Sequence, residues 1–340
     1  MGKALIIGDI HLQVLSHIPR YSECQVESIL RLIENERGAF DNLNYIIFLG
    51  DVFDKRKPDP STLLLFQDLL DQIVLITNAE VIVIMGNHDA ESKADNGITA
   101  LSLFNISLVN KYNEWDLLPN LRCRFIPHYE NEDKIRELLK DVKDDEWIFG
   151  HYGFTGCINA QGIYDFNLDP KTFKGNTVLG HIHKYAKHDP NITILGTPYH
   201  TSFHEAGKVN YYGILTDDGK LQIKEQVYGG PRYINVSLDD LSKLEGLDTE
   251  KYCNLVRIWL NPIKTGDHLD LISEVIKKYG VDWVDVKFIQ LTDIKDDLST
   301  YNPSMPVFNI NEAIIKDYVE QSKSLIPYDV LMEGLREIED

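Results

Sequence analysis

The stretch ALIIGDIH, residues 4–11, is a short apolar run that ends in glycine and then turns at once to an acid and a histidine. A continuous apolar run of this length, bounded by a turn residue, fits a strand buried on both faces of a sheet. The pattern returns in YIIFLGDVFD (45–54), VIVIMGNHD (81–89), WIFGHYG (147–153) and TVLGHIH (177–183), and ITILGT (192–197) repeats the strand and its glycine. Between the first three runs, residues 22–36 and 60–74 carry apolar side chains at helical spacing, Val26, Ile29, Leu30 and Ile33 among them. Strands alternating with helices predict an α/β fold over the first 230 residues. The charged stretch 130–146 predicts a solvated surface helix.

In an open α/β sheet, ligands bind outside the carboxyl ends of the strands. Here those ends read GDIH (8–11), GDVFD (50–54), GNHD (86–89), GHYG (150–153) and GHIH (180–183). Five of the 11 histidines (His11, His88, His151, His181 and His183) sit in these motifs, and no cysteine does. Carboxylate oxygen, imidazole nitrogen and amide carbonyl together suit divalent ions such as manganese, iron or zinc better than calcium. One Gly-Asp is usually a turn, and one strand-end histidine is usually a hydrogen-bonded structural residue. Five glycine-led endings in series point instead to a shared metal site.

Charge and cysteine usage narrow the class. The 340 residues hold 34 Lys plus Arg against 53 Asp plus Glu, a net charge of −19. Such a chain does not attract nucleic acid or an anionic membrane through its global field, so any nucleic-acid chemistry needs a metal, a local patch or a partner. Lys55, Arg56 and Lys57 form the one compact basic run beside the motifs and are candidates for DNA phosphate, against the alternative of a solvated loop tip. Cys24, Cys123, Cys157 and Cys253 are scattered without a C-x-x-C, which favours reduced thiols. The apolar run before Gly8 is too short for a signal peptide or membrane span, so a soluble cytoplasmic protein is expected.

The texture changes near Gly229-Gly230-Pro231. LVRIWL (255–260), a helical stretch around 266–279 and VDWVDVKFIQL (281–291) predict a small strand–helix–strand domain. A linker and a tail with helical apolar spacing follow. The expected organisation is a main domain at 1–230, a small domain at 231–295, and a linker and helical tail at 296–340. An amphipathic tail after a linker either docks on a partner or packs back on its own domain. Residues 281–340 carry 13 acids against five bases, so much of the acidic excess lies there.

The series D-x-H, G-D-x-x-D, G-N-H-D, G-H and G-H-x-H resembles the calcineurin-like metallophosphoesterase superfamily. Within it, GDIHL near the start, GDVFDKRKPDP (50–60) and GTPYHTSFHEAGKVNYYGI (196–214) resemble the SbcD-type repair nucleases and their bacteriophage relatives. The motifs span residues 8–214. The resemblance implies an α/β fold of α+β, four-layer type: a two-sheet β-sandwich flanked by helices, with a small α/β capping domain that binds DNA and a C-terminal helical tail. It implies two divalent metal ions, manganese foremost and magnesium as the alternative. Asp9, His11 and His183 would hold one, Asn87, His151 and His181 the other, with Asp51 bridging. His88 would be catalytic at the leaving oxygen, with Asp89 orienting its ring or capping a turn. His200 and His204 would contact DNA or build the sheet edge, a choice that extends to Pro198, Tyr199, Phe203 and Glu205. The implied activity is two-metal hydrolysis of DNA, as a double-strand exonuclease of 3′–5′ polarity and a single-strand endonuclease. The implied partner is an SbcC-like coiled-coil ATPase bound by the tail, within a two-plus-two assembly containing a nuclease homodimer, with no membrane. Asp54 stands where cellular members commonly have histidine, which leaves the balance of exonuclease and endonuclease open.

Two other readings fit the residues. One is a small-molecule phosphodiesterase or phosphatase of the same superfamily. The other is a weakly catalytic scaffold that tethers the ATPase to DNA.

Overall fold

The structure is a computed structural model that describes residues 2–38, 42–94, 97–119, 121–159, 162–163, 166–188, 190–260 and 268–288. In chain order the elements are β1 (Lys3–Ile7), α1 (Arg20–Arg37), β2 (Leu43–Phe48), α2 (Pro60–Ile76), β3 (Glu80–Ile84), β4 (Ser107–Val109), β5 (Asn113–Leu118) and β6 (Leu121–Ile126). Then come α3 (Glu132–Leu139), β7 (Trp147–Gly150), the ribbon β8 (Ile158–Asn159) and β9 (Gly162–Ile163), β10 (Asn176–Leu179), β11 (Ala186–His188), β12 (Ile192–Ile194), β13 (Tyr211–Thr216) and β14 (Leu221–Glu225). The last are β15 (Gly230–Ser237), β16 (Tyr252–Leu260), α4 (His268–Tyr279) and β17 (Trp283–Phe288).

Two six-stranded sheets face each other, in the orders β14-β13-β1-β2-β3-β4 and β11-β12-β10-β7-β6-β5. β1 to β4 run parallel in the first, and β6, β7, β10 and β12 run parallel in the second. The unbroken apolar runs follow from burial on both sides. Ala4 and Ile6 of β1 pack between the sheets with Phe125, Phe149 and Val178. Leu5 and Ile7 point the other way, into Ile29, Leu32 and Ile33 of α1 and Phe66 of α2. Each such side chain contributes about 1.5–3 kcal/mol by leaving water. The expected mixed α/β architecture, two sheets flanked by helices, is the one observed.

α2 starts where Asp59 accepts from Thr62 N at 2.9 Å, with Pro60 in the first turn. The surface helix expected over 130–146 is shorter. It ends at Leu139, buries Ile135 and Leu139, and leaves Glu146 buried as well. Glu146 Oε2 accepts from Arg124 Nε at 2.9 Å and from Lys143 N at 3.1 Å, so this acid is an internal anchor and not a solvated charge. All four cysteines are buried and free. Among the described residues, no helix is long and apolar enough to cross a membrane.

The chain divides into two units, one of residues 1–232 and 250–253 and the other of 233–249 and 254 onward. The second holds β17 and most of β15 and β16, which form the three-stranded order β15-β16-β17. β16 and β17 are parallel, as a strand–helix–strand crossover through α4 requires, and Arg257 Nε donates to its register partner Asp285 at 2.8 Å. Val236, Val256, Ile258, Val275 and Val284 form its core. Strand β15 was not foreseen, because Gly229-Gly230-Pro231 reads as a boundary although the strand begins within it. The linker and tail at 296–340 lie outside the described residues.

Candidate metal centre

Every glycine-led motif leaves the carboxyl end of a parallel strand, and the loops from both sheets converge. Asp9, His11, Asp51 and Asn87 come from the first sheet, and His151, His181 and His183 from the second. Two candidate metal-binding groups result. Asp9, His11 and His183 bring one donor atom each within 4.8 Å of the others, and Asp51, His151 and His181 do the same. Asn87 Oδ1 joins the second group, 3.0 Å from His151 Nε2 and 2.8 Å from His181 Nδ1. Asp51 Oδ2 lies 3.4 Å from His151 Nε2 and 3.8 Å from His11 Nε2, so one carboxylate reaches both groups.

The leading glycines are explained by close approach. A Cβ on Gly86 would stand 2.2 Å from Asp51 Oδ1, and one on Gly180 would stand 2.5 Å from Asp9 Oδ1. Three donor residues also adopt left-handed backbone, His11 at φ 41°, Asp51 at 46° and His181 at 79°. Each costs about 1–3 kcal/mol and persists only where its surroundings over-determine it. Here they do. His11 N donates to Asp51 O at 2.9 Å, His181 N to Asp9 Oδ2 at 2.8 Å, and His88 N to Asp51 Oδ1 at 2.7 Å. Behind the first loop, Tyr199 Oη donates to Ile10 O at 2.6 Å and Gln25 Nε2 to His11 O at 2.9 Å.

The electrostatics suit cations. Asp9 and Asp51 are both buried. Burial raises Asp9 to about 6, with Asp51 adding to the rise and His151 opposing it. Burial also acts to raise Asp51, but His151, by charge and hydrogen bond, holds it well below the ordinary carboxylate range. Burial and the neighbouring His183 press His11 down to about 3. The Nε2 atoms of His11 and His183 face each other at 3.0 Å, and His11 Nδ1 is buried without a hydrogen-bond partner. Crowded imidazoles, buried carboxylates and one amide oxygen are a donor set that a divalent cation satisfies.

The other expected site residues divide. His88 Nδ1 meets the Asp54 carbonyl at 2.6 Å, and its ring stands edge-on 5.1 Å from that of His11. Asp89 does not orient it. Asp89 Oδ1 accepts from Phe53 N at 3.1 Å and Oδ2 from Gly86 N at 2.9 Å, so this buried acid ties two motif loops together, and the orienting role is corrected. Lys55 and Lys57 are exposed, whereas Arg56 spends its guanidinium on Ala90 O and Glu130. His204 is exposed. His200 is 7% exposed with Nε2 2.9 Å from Lys208 O, so it braces its own segment and offers DNA no surface.

Sequence reasoning missed His128. Its ring lies 5.8 Å from that of His181 and 6.1 Å from that of His151, with both nitrogens buried without a hydrogen-bond partner and Nε2 3.8 Å from Glu130 Oε1. It follows strand β6 as the motif histidines follow theirs, but Pro127 stands where they have glycine.

An α/β sandwich whose strand ends gather two candidate metal-binding groups is the setting of a metal-dependent hydrolase. The pattern of the calcineurin-like phosphoesterases matches residues 2–185, and the chain belongs to that family. Members of the family use divalent metals, in keeping with the two groups found here. The chain is also similar to exonuclease subunit 1 of Enterobacteria phage T4, at 27% identity over 207 residues. The match covers 58% of this chain and 59% of that protein, so the chain spans less than two thirds of its relative's length.

Proposed function

We propose that this phosphoesterase is a nuclease that cleaves DNA phosphodiesters with two divalent ions, manganese foremost. The observation that carries the reading is the position of Asp51, one carboxylate within 4 Å of a histidine of each donor group. Likeness to a phage exonuclease subunit supports a nucleic-acid substrate, and the motif resemblance to repair nucleases narrows the proposal to DNA. Two divalent ions held by these residues would supply an acidified water and positive charge for the attacking and leaving oxygens.

The chain's own residues do the rest. Asp9, His11 and His183 hold one position, Asn87, His151 and His181 the other, and Asp51 both. His88 Nδ1–H donates to the Asp54 carbonyl, which leaves Nε2 as the nitrogen turned to the substrate. Lys55, Lys57 and His204 are the exposed groups available to backbone phosphate. The exonuclease and endonuclease balance, an SbcC-like ATPase gripped by the tail, homodimer assembly and a cytoplasmic setting belong to the same reading. The word "subunit" in the relative's name and the acidic surplus both support a partner that supplies grip on DNA.

The test is hydrolysis of linear duplex, single-stranded circle and bis(nitrophenyl) phosphate with added manganese, by wild type and Asp51→Ala. DNA cleavage that Asp51→Ala abolishes supports the proposal. Turnover of the nitrophenyl diester with DNA left intact would overturn it.

A further inference from the structure

Behind the first donor group lies a second carboxylate that the motif series does not contain. Glu205 sits in the 3-10 turn Phe203–Glu205 and is 2% exposed. Its Oε1 stands 2.7 Å from His183 Nδ1 and accepts from Thr201 Oγ1 at 2.9 Å, while Oε2 accepts from Thr201 N at 2.6 Å. A carboxylate so surrounded only accepts, so Nδ1 of His183 is the donor and carries the ring proton. That leaves the Nε2 lone pair bare, on the side 3.0 Å from His11 Nε2 and 4.0 Å from Asp9 Oδ2.

The segment that presents Glu205 is itself pinned at both ends. Tyr199 is tied to Ile10 between Asp9 and His11, and Lys208 N donates to Glu205 O at 3.0 Å while its carbonyl meets His200 Nε2. The backbone that carries Glu205 therefore cannot shift without disturbing the loop that braces Ile10, and its side chain is held toward His183 by the two bonds from Thr201.

We propose that Glu205 is the positioning residue of the first metal group, setting the tautomer and ring angle of His183 and through them the affinity for one of the two ions. The inference rests on the two-ion reading of the site. Outer carboxylates of this kind typically change metal affinity 10–100-fold when removed.

The experiment uses the full chain and manganese. Glu205→Gln keeps the shape, but its amide NH₂ can donate to Nδ1, which moves the ring proton to Nε2 and removes the lone pair from the group. Glu205→Asp keeps a pure acceptor at shorter reach. Manganese is titrated by calorimetry and electron spin resonance, and the imidazole tautomer is read from long-range proton–nitrogen spectra of the metal-free proteins. Melting in chelator confirms that each variant is folded.

Wild type is expected to take two ions with His183 protonated at Nδ1. Glu205→Gln should bind one ion as before and the other about 10–100-fold more weakly, with the proton on Nε2. Glu205→Asp should recover part of the loss, and it carries the test if the glutamine variant does not fold. Two ions bound at wild-type affinity by Glu205→Gln, or by Glu205→Asp if only that variant folds, with His183 still protonated at Nδ1, would overturn the inference. Wild type binding fewer than two ions would sink the two-ion reading instead, and the tautomer spectra would still decide the Glu205–His183 pairing.

Discussion

Nδ1 of His88 lies 2.6 Å from the main-chain carbonyl of Asp54, and no carboxylate intervenes. The ring is thus held by backbone, and the Asp54 side chain is spared that duty. Replacing His88 with Ala should leave both ions bound and reduce DNA cleavage about 10²–10⁴-fold, as loss of a proton-transfer group does. Asp54→Asn, which leaves the carbonyl in place, should cost far less than that. Steady-state cleavage rates paired with manganese titrations check both, and equal losses in the two variants would refute the backbone account.

Asp51 is grouped with His151 and His181 and also comes within 3.8 Å of His11 in the other group; if it serves both, Asp51→Asn should weaken both ions together, unlike a change confined to one group. The sensitive readout is thermal. A ligand at 100 times its dissociation constant stabilises a protein by about 2.7 kcal/mol. Manganese should raise the melting temperature of wild type by several degrees and leave that of Asp51→Asn almost unmoved. An equal rise in both would show that the ion binds elsewhere.

Gly86→Ala places a methyl group 2.2 Å from Asp51 Oδ1, next to backbone that has nowhere to go. Overpacking of this kind costs about 1–3 kcal/mol. The expected result is a lower melting temperature in chelator together with a lost response to manganese. Gly156→Ala makes a useful control for strain without crowding: its φ of 93° disfavours alanine, as the backbone of Gly86 does not, while a Cβ there meets nothing within 4 Å, so it should cost stability and keep the response to manganese.

Acid sensitivity should trace in part to Glu36, far from the metal centre. Burial acts to raise this carboxyl, but hydrogen bonds from Lys224 at 2.9 Å and Tyr212 at 2.8 Å hold it below its usual value. A depressed carboxylate adds stability that is complete above its unfolded pKa and is lost as pH falls through the lower folded one. Wild type should therefore exceed Glu36→Gln in stability at pH 7, with the gap closing below about pH 4.5, the ordinary glutamate value. Denaturant unfolding across that range checks the sign. A gap that widens on acidification would contradict it.

The motif-bearing strands were legible because each is an apolar run buried on both faces and closed by a glycine. Which of the residues after those glycines are donors was implied only by the family resemblance, and the fold brings six of them into two groups. What lay beyond that rule was hidden for definite reasons. Asp89 looks like a partner for His88 in sequence, but only the fold shows that its oxygens meet Gly86 N and Phe53 N. His200 and His204 are four residues apart in one basic-looking segment, yet one is buried and the other exposed. His128 escaped notice because proline precedes it. Glu146, in a run of acids, gave no hint that Arg124 draws it inward.

Each donor group draws on both sheets: Asp9 and His11 from one with His183 from the other, and Asp51 from one with His151 and His181 from the other. An ion in either place would thus be a clasp across the seam of the sandwich, and two would resist both sliding and splaying of the layers. The centre then works as a strain gauge for the whole domain. A core substitution at the opposite end of the strands, such as one at Leu118 or Leu215, that lets one layer creep against the other should be felt first as weakened ion binding, before the fold itself gives way.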